Sequence, residues 1–163
     1  MMTDLLTVQY AQTGQSTAQN SMGMREMQTR AYAARNAQYL LLKAPPASGK
    51  SRALMFLALD KVMKQGLKKA IVAVPEISIG GSFGNTDLTK YGFFADWQVD
   101  ADYNLCTAGN EGKVDKLIAF LNDPQARFLL CTHATLRFAY ERLTCLTSAV
   151  FEGVVWQRGS SSH

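Results

Sequence analysis

The stretch Ala44-Pro45-Pro46-Ala47-Ser48-Gly49-Lys50-Ser51 decides the fold because of what lies on either side of it. Before it, residues 39–43 read Tyr-Leu-Leu-Leu-Lys, a short apolar run that predicts a buried strand. After it, residues 52–59 form a longer apolar run of good helix formers, which predicts a buried helix. A strand, a loop of small residues ending in Gly-Lys-Ser and a helix form the context that a phosphate-binding loop requires.

In such a loop the backbone N–H groups turn inward and meet the N-terminus of the helix, where the free amides and the helix dipole favour an anion. Lys50 is expected to reach the β- and γ-phosphates of a nucleotide, and the Ser51 hydroxyl to help hold Mg²⁺. The alternative is a proline-containing turn before an ordinary helix start. The predicted nucleotide-binding residues here are Ala44, Pro45, Pro46, Ala47, Ser48, Gly49, Lys50, Ser51 and Arg52.

The first position of the loop departs from the usual pattern, because Ala44 stands where a glycine is normally found. Alanine has little room for positive φ, so the loop is expected to begin with an ordinary backbone conformation. Pro45 and Pro46 agree with this expectation because each fixes φ near about −65°.

Length and composition set the outer bounds. A chain of 163 residues with 47% hydrophobic and 18% charged residues suits one α/β domain with a real core, but not two. No secretory signal and no apolar run near ~18 residues occurs, so no membrane partner is expected. The odd, scattered set Cys106, Cys131 and Cys145 suggests reduced thiols in a cytoplasmic protein and supports neither a zinc site nor a disulfide framework.

Charge is unevenly spread along the chain. Residues 1–23 hold one side chain that is charged at neutral pH, Asp4, and are expected to form a flexible polar arm because they offer little apolar surface to offset the entropy of ordering. The rest carries all 17 Lys and Arg and 12 of the 13 acids, a net charge of +5. This excess permits contact with nucleic acid without demanding it. The predicted domain spans 24–157, and 158–163 reads as an irregular tail.

Helix and strand patterns alternate from Met24 onward, which predicts a parallel sheet with helices on both faces. Residues 78–89, rich in Gly, Ser, Thr and Asn, are expected to form a loop, and residues 149–155 have a strand-like composition. Strands are predicted over 39–43, 70–74 and 128–131 and somewhere within 97–106. Helices are predicted over 24–35, 49–65, 114–121 and 134–143.

Three further segments are informative because of their positions relative to the loop. One precedes it, Arg25-Glu26-Met27-Gln28, and two follow it, Ile71-Val72-Ala73-Val74-Pro75 and the run from Leu129 to Leu136 through Thr132-His133. With the Ala-Pro start of the loop, this order resembles the first RecA-like domain of DEAD/DEAH-type superfamily 2 helicases and related restriction-enzyme motor subunits. The resemblance covers roughly residues 24–143. It implies a P-loop NTPase fold, incomplete relative to the family, in which the loop is the specific motif and the others are degenerate.

The resemblance also implies roles for particular residues. Gln28 matches the glutamine that reads the adenine edge of ATP, the alternative being an exposed helix glutamine. Pro75 and Glu76 match the segment after the second strand that holds a nucleic-acid backbone, and Thr132 with His133 matches the motif that lines the strand-binding face. A strand terminator at Pro75 and a locally satisfied histidine are the alternatives. The implied ligands and partners are ATP, Mg²⁺, single-stranded DNA or RNA, and a second motor domain or protein partner.

One expected motif is missing. Such ATPases need an Asp-Glu pair at the end of a later strand, for Mg²⁺ and for the attacking water. After Thr132 the acidic residues are Glu141 and Glu152, and neither has an Asp directly before it. The chain is therefore expected to be an ATP-binding helicase-type module that hydrolyses ATP poorly by itself. The alternatives are a non-catalytic interaction protein that keeps the fold and, less favoured because no arginine-rich lid is evident, a small P-loop kinase.

Overall fold

The computed structural model describes residues 5–9, 19–109, 111–144 and 154–156. These residues form an α/β structure with short parallel sheets, as the sequence predicts. The chain divides into two compact units, the first made of residues 1–65 and 86–97 and the second of residues 66–85 and 98–163. Within the described residues no helix has the length and apolar character needed to cross a membrane.

The first unit has a two-stranded parallel sheet and two long helices. In it β1 pairs with β2 in the register Leu5–Tyr39 to Gln9–Lys43. Strand β1 falls in the segment expected to be a flexible arm, so residues 5–9 differ from that expectation, while the domain bounds at 24 and 157 stay predictions. The elements are β1 (Leu5–Gln9), α1 (Glu26–Ala33), β2 (Tyr39–Lys43), α2 (Lys50–Met63) and a 3₁₀ turn at Thr89–Tyr91.

The loop-bearing strand β2 is less buried than its apolar run predicts. Leu42 packs on the small core cluster of Met27, Ala31 and Ala53, whereas the side chains of Tyr39 and Leu41 are 48% and 50% exposed. Alternate residues of a strand face opposite sides, so only one face of β2 is covered. The expectation of a buried strand is therefore wrong, whereas the buried helix α2 is confirmed by its eight buried residues.

Residues 86–97 join the first unit far from its other segments in sequence. The Phe93 ring lies between Tyr32 and Phe56, with centroids 5.8 Å and 4.6 Å away. Gly92 has φ of +99°, and a Cβ there would lie 2.0 Å from the carbonyl oxygen of Ser21, so this close approach requires glycine. The segment thus packs against both helices of the unit.

The second unit contains a three-stranded parallel sheet in the order β4-β3-β5. Strand β3 is buried along its whole length, and α4 and α5 pack on one face of the sheet around Phe120, Leu129 and Leu136. The elements are β3 (Ala70–Val74), α3 (Ile77–Gly80), 3₁₀ turns at Gly81–Phe83 and Ala101–Tyr103, α4 (Lys113–Asn122), β4 (Phe128–Thr132), α5 (His133–Thr144) and β5 (Val154–Trp156).

Two predictions for the connecting segments are wrong. Residues 78–89 contain the short helical turns of α3 and Gly81–Phe83 rather than a plain loop. Residues 97–106 form no strand, because the Asp100 carboxylate accepts a hydrogen bond from the N–H of Asp102 and closes a 3₁₀ turn. Only isolated bridges remain at the two ends of that segment, Thr86 with Trp97 in the first unit and Asn104 with Leu130 in the second.

The described cysteines are free thiols of the second unit. Burial raises the pKa of Cys131 to about 12 and that of the partly buried Cys106 to about 11. Cys131 therefore behaves as a small apolar core residue. Cys145 lies outside the described residues.

Candidate functional site

The loop between β2 and α2 has an unusual backbone. Gly49 precedes the first helical residue with φ of +88°, and Ala47 has φ of +60°, the one described non-glycine residue with positive φ. Ala44 is not among the residues with positive φ, as its type predicts. A Cβ on Gly49 would lie 2.5 Å from the Gln28 side-chain nitrogen, so this position requires glycine for conformation and for space.

Lys50 folds back over the loop from the first turn of α2. Its ammonium donates hydrogen bonds to the carbonyl oxygens of Ala44 at 2.7 Å and Pro45 at 3.3 Å. The positive charge of this partly buried side chain is therefore held at the loop. A charged oxygen of a ligand is a stronger acceptor for an ammonium group than a neutral carbonyl, so these bonds can be exchanged for bonds to an anion.

The N-terminus of α2 is chemically open. It has no side-chain cap and no acidic residue in its first turn, so the first amides have no carboxylate beside them. The Ser48 hydroxyl in the same loop is buried without a hydrogen-bond partner among the described residues. A buried unsatisfied hydroxyl costs about 1–3 kcal/mol, and an oxygen-rich ligand at the loop would remove this cost.

These features fit the phosphates of a nucleotide. Open amides, an ammonium group and an orphan hydroxyl all favour anionic oxygen. For Mg²⁺, the half-buried Ser51 supplies one neutral oxygen from this loop. The ion commonly takes its other ligands from phosphates and waters, so Ser51 is compatible with it.

Gln28 is not the exposed helix glutamine of the alternative reading, because its side chain is only 2% exposed. Its carbonyl oxygen accepts from the N–H of Arg25 at 2.8 Å, and its amide nitrogen donates to the carbonyl oxygen of Gly49 at 3.1 Å. The side chain therefore caps α1 and ties that helix to the loop. In this arrangement one oxygen lone pair and one N–H remain for another partner.

Arg52, the last residue of the predicted site, lies against Tyr91, a residue that the sequence did not single out. Its guanidinium carbon lies 5.6 Å from the ring centroid of Tyr91, whose side chain is 43% exposed. No sequence spacing connects these two residues, because the contact depends on how residues 86–97 fold back onto the first unit.

The remaining predicted residues lie together in the second unit. The register pairs Val74 with Thr132, so Pro75 and His133, which follow them, leave the same edge of the sheet. Glu76 is the exposed residue before α3. These residues are thus brought to one sheet edge, as expected from parallel strands.

Thr132 has a structural role at that edge. Its hydroxyl oxygen accepts from the N–H of Thr135 at 3.3 Å and lies 3.1 Å from the Thr135 hydroxyl. This is the geometry of a helix N-cap, and it lets β4 run directly into α5. The hydroxyl is therefore already used within the fold.

The strand expected to precede an acid pair is present in part. Strand β5 is parallel to β3, with Trp156 opposite Ala73. The residues that follow Trp156 in the sequence are Gln157 and Arg158, not Asp and Glu. Glu152 lies outside the described residues.

A comparison with known proteins finds a relative that matches most of the chain. Over 142 residues it is 56% identical to a protein of Bacillus subtilis (strain 168) named "Putative ATP-dependent helicase YeeB". The match covers 87% of the chain and 24% of that relative, so the chain spans about a quarter of the relative's length. No family model matches the chain, and no solved structure does.

Proposed function

We propose that residues 44–52 and the N-terminus of α2 bind ATP with Mg²⁺, and that the chain is a motor-domain segment of a DEAD/DEAH-type superfamily 2 helicase. The observation that carries the proposal is the loop itself. Lys50 lies over the carbonyls of Ala44 and Pro45, and the Ser48 hydroxyl is buried without a partner. The name of the relative supports the same reading, since it describes an ATP-dependent helicase.

Each residue has a distinct task in this proposal. The loop amides and those of the first turn of α2 hold phosphate oxygens, and Lys50 exchanges its carbonyl partners for the outer phosphates. Ser51 gives its hydroxyl oxygen to Mg²⁺, which neutralises phosphate charge when bound. Gln28 fixes Gly49 in place and offers its remaining amide positions to the base.

Contact with nucleic acid is proposed for the edge formed by Pro75, Glu76, Thr132 and His133. Single-stranded DNA or RNA is held there through its backbone, without sequence preference. Because the Thr132 hydroxyl already caps α5, backbone amides are the main donors at this edge. Binding by this chain alone is expected to be weak, with Kd of about 10⁻⁴ to 10⁻⁶ M, and salt-sensitive.

The proposal is tested by calorimetric titration with Mg-ATP and Mg-ADP. Lys50→Ala removes the ammonium group that contacts the loop and should abolish measurable binding. Lys68→Ala removes an equal charge from an exposed residue of the second unit and serves as the matched control. Absence of heat and of any thermal shift in the unmodified protein at saturating nucleotide would instead favour the non-catalytic interaction protein.

Turnover by this chain alone is expected to be very slow. Without an acid pair after β5, no carboxylate aligns or deprotonates water, a loss that commonly costs ~10²- to 10⁴-fold in rate. Phosphate release from the purified protein, with Lys50→Ala as the blank, measures it. A rate near ~10 s⁻¹, typical of enzymes, would contradict this proposal. Phosphoryl transfer to an added acceptor would favour the kinase.

A further inference from the structure

Tyr91 is an exposed aromatic residue that contacts Arg52, the residue after the loop. Tyr91 ends the 3₁₀ turn at Thr89–Tyr91, and its side chain is 43% exposed. Single exposed aromatic residues are ordinary on protein surfaces. Tyr91 differs because two cations flank its ring, Arg52 at 5.6 Å and Lys90 at 5.7 Å from the centroid.

The backbone that carries Tyr91 is firmly held within the first unit. The next residue, Gly92, adopts φ of +99° and approaches Ser21 too closely for any side chain. The Asp96 carboxylate accepts from the N–H of Thr89 at 2.8 Å. Phe93 packs between the rings of α1 and α2. The position of Tyr91 is therefore set by the unit's core, although its ring reaches solvent.

Tyr91 touches both segments that support the loop. On one side Arg52 directly follows the loop residue Ser51. On the other side Gly23 lies in the turn that leads into α1, and a Cβ on it would lie 2.4 Å from the Cβ of Tyr91. Helix α1 in turn holds the loop through Gln28 and Gly49. The ring therefore contacts the residue that follows the loop and the turn that precedes α1, all within one unit of the fold.

From this arrangement we infer that Tyr91 is the platform on which the base of the bound nucleotide stacks. The inference rests on the proposed function, because the loop must hold the phosphates. Base stacking on an aromatic ring tolerates any base, since every base has a π-face. Both cations lie over the ring near the ~6 Å limit of a cation–π contact, so these contacts are weak and a base can take the place of either cation.

The assignment separates the contributions of base and phosphates. Alanine substitution at a stacking ring typically weakens binding by about 10-fold or more per base. The loop amides and Lys50 contact only phosphate in this arrangement. A ligand without a base should therefore be indifferent to the ring.

The experiment compares Mg-ATP with Mg-tripolyphosphate by calorimetry on the full chain. Tyr91→Ala should weaken ATP about 10-fold or more and leave tripolyphosphate unchanged, whereas Tyr91→Phe should keep both affinities. Tyr39→Ala removes a similarly exposed ring at the far end of β2 from the loop and should change neither. Tyr91→Leu, which retains apolar bulk without an aromatic face, should behave like the alanine variant and guards against a folding defect.

Several results would overturn the inference. One is an equal loss for both ligands in Tyr91→Ala. Another is an unchanged affinity of Tyr91→Ala for ATP. If this variant then binds a labelled single-stranded oligonucleotide more weakly, the ring is a nucleic-acid contact. If oligonucleotide binding is also unchanged, the ring is a plain surface residue. If the unmodified protein binds neither ATP nor tripolyphosphate, the proposed function fails first and the base platform with it. If the unmodified protein binds tripolyphosphate and Lys50→Ala does not, the proposed function stands even when the inference about Tyr91 fails.

Discussion

Residues 44–49 separate β2 from α2, whereas β4 ends at Thr132 and α5 begins at the next residue. The two connections use their hydroxyls in opposite ways. Thr132 caps α5 within the fold, but Ser48 is buried with no described partner and α2 starts uncapped. A connection that satisfies its own polar groups serves stability, and one that leaves them unpaired is suited to a ligand.

The sheets that carry these two connections also differ in how deeply their strands are buried. Strand β3, which neighbours β4, is buried throughout, while β2 leaves Tyr39 and Leu41 about half exposed. The three-stranded sheet of the second unit therefore has a continuous core of its own. The loop-bearing strand gains less from packing, so its unit depends more on α1, α2 and residues 86–97.

The largest expected effect tests this difference between the strands. Leu129→Ala empties a fully buried position of β4 and should lower the free energy of unfolding by about 3–5 kcal/mol. Leu41→Ala makes the same change at a position that is 50% exposed on β2 and should cost much less, since little area is uncovered. Urea unfolding measures both. Equal losses would mean that the two strands contribute alike.

A second test uses the buried thiol of the second unit. Folding raises the pKa of Cys131 from its ordinary value of 9.0 to about 12, because burial disfavours the thiolate. The unfolded chain therefore loses this proton first, so stability is full below pH 9 and falls as pH rises from about 9 towards 12. The slope from one such group is about 1.4 kcal/mol per pH unit.

Cys131→Ala provides the control for that pH dependence. It removes the contribution of Cys131 and should flatten the fall of the unfolding free energy between pH 9 and 10.5, while Cys106 still contributes in the same direction. Chemical unfolding at a series of pH values measures the slopes. Identical slopes for the two proteins would contradict the burial of this thiol.

The smallest effect compares the two hydroxyls directly. Thr132→Val deletes the cap of α5 at nearly constant volume and should destabilise the protein by about 1 kcal/mol. Ser48→Ala deletes an unsatisfied hydroxyl and should be neutral or slightly stabilising without nucleotide. With Mg-ATP present, Ser48→Ala should lower stability more than Thr132→Val does if Ser48 contacts phosphate. Thermal unfolding with and without ligand gives all four values.

Local features of this fold were largely predictable from the sequence. The strands at 39–43 and 70–74 have the predicted bounds, because short apolar runs there end at Pro or at charged residues. Helices over 114–121 and 134–143 were found within one or two residues of their predicted ends. The prediction failed where a single polar side chain redirects the backbone, as Asp100 does at the start of its 3₁₀ turn.

By itself, the sequence determined most of the elements present and the strand-loop-helix order around Gly49-Lys50-Ser51. These depend on residue type, periodicity and motif order, which act over a few positions. Only the tertiary structure decided that Gln28 is bonded to Gly49 and that Tyr91 lies beside Arg52. Such contacts join residues distant in the chain, and packing and hydrogen-bond satisfaction across the fold select them, not any local preference.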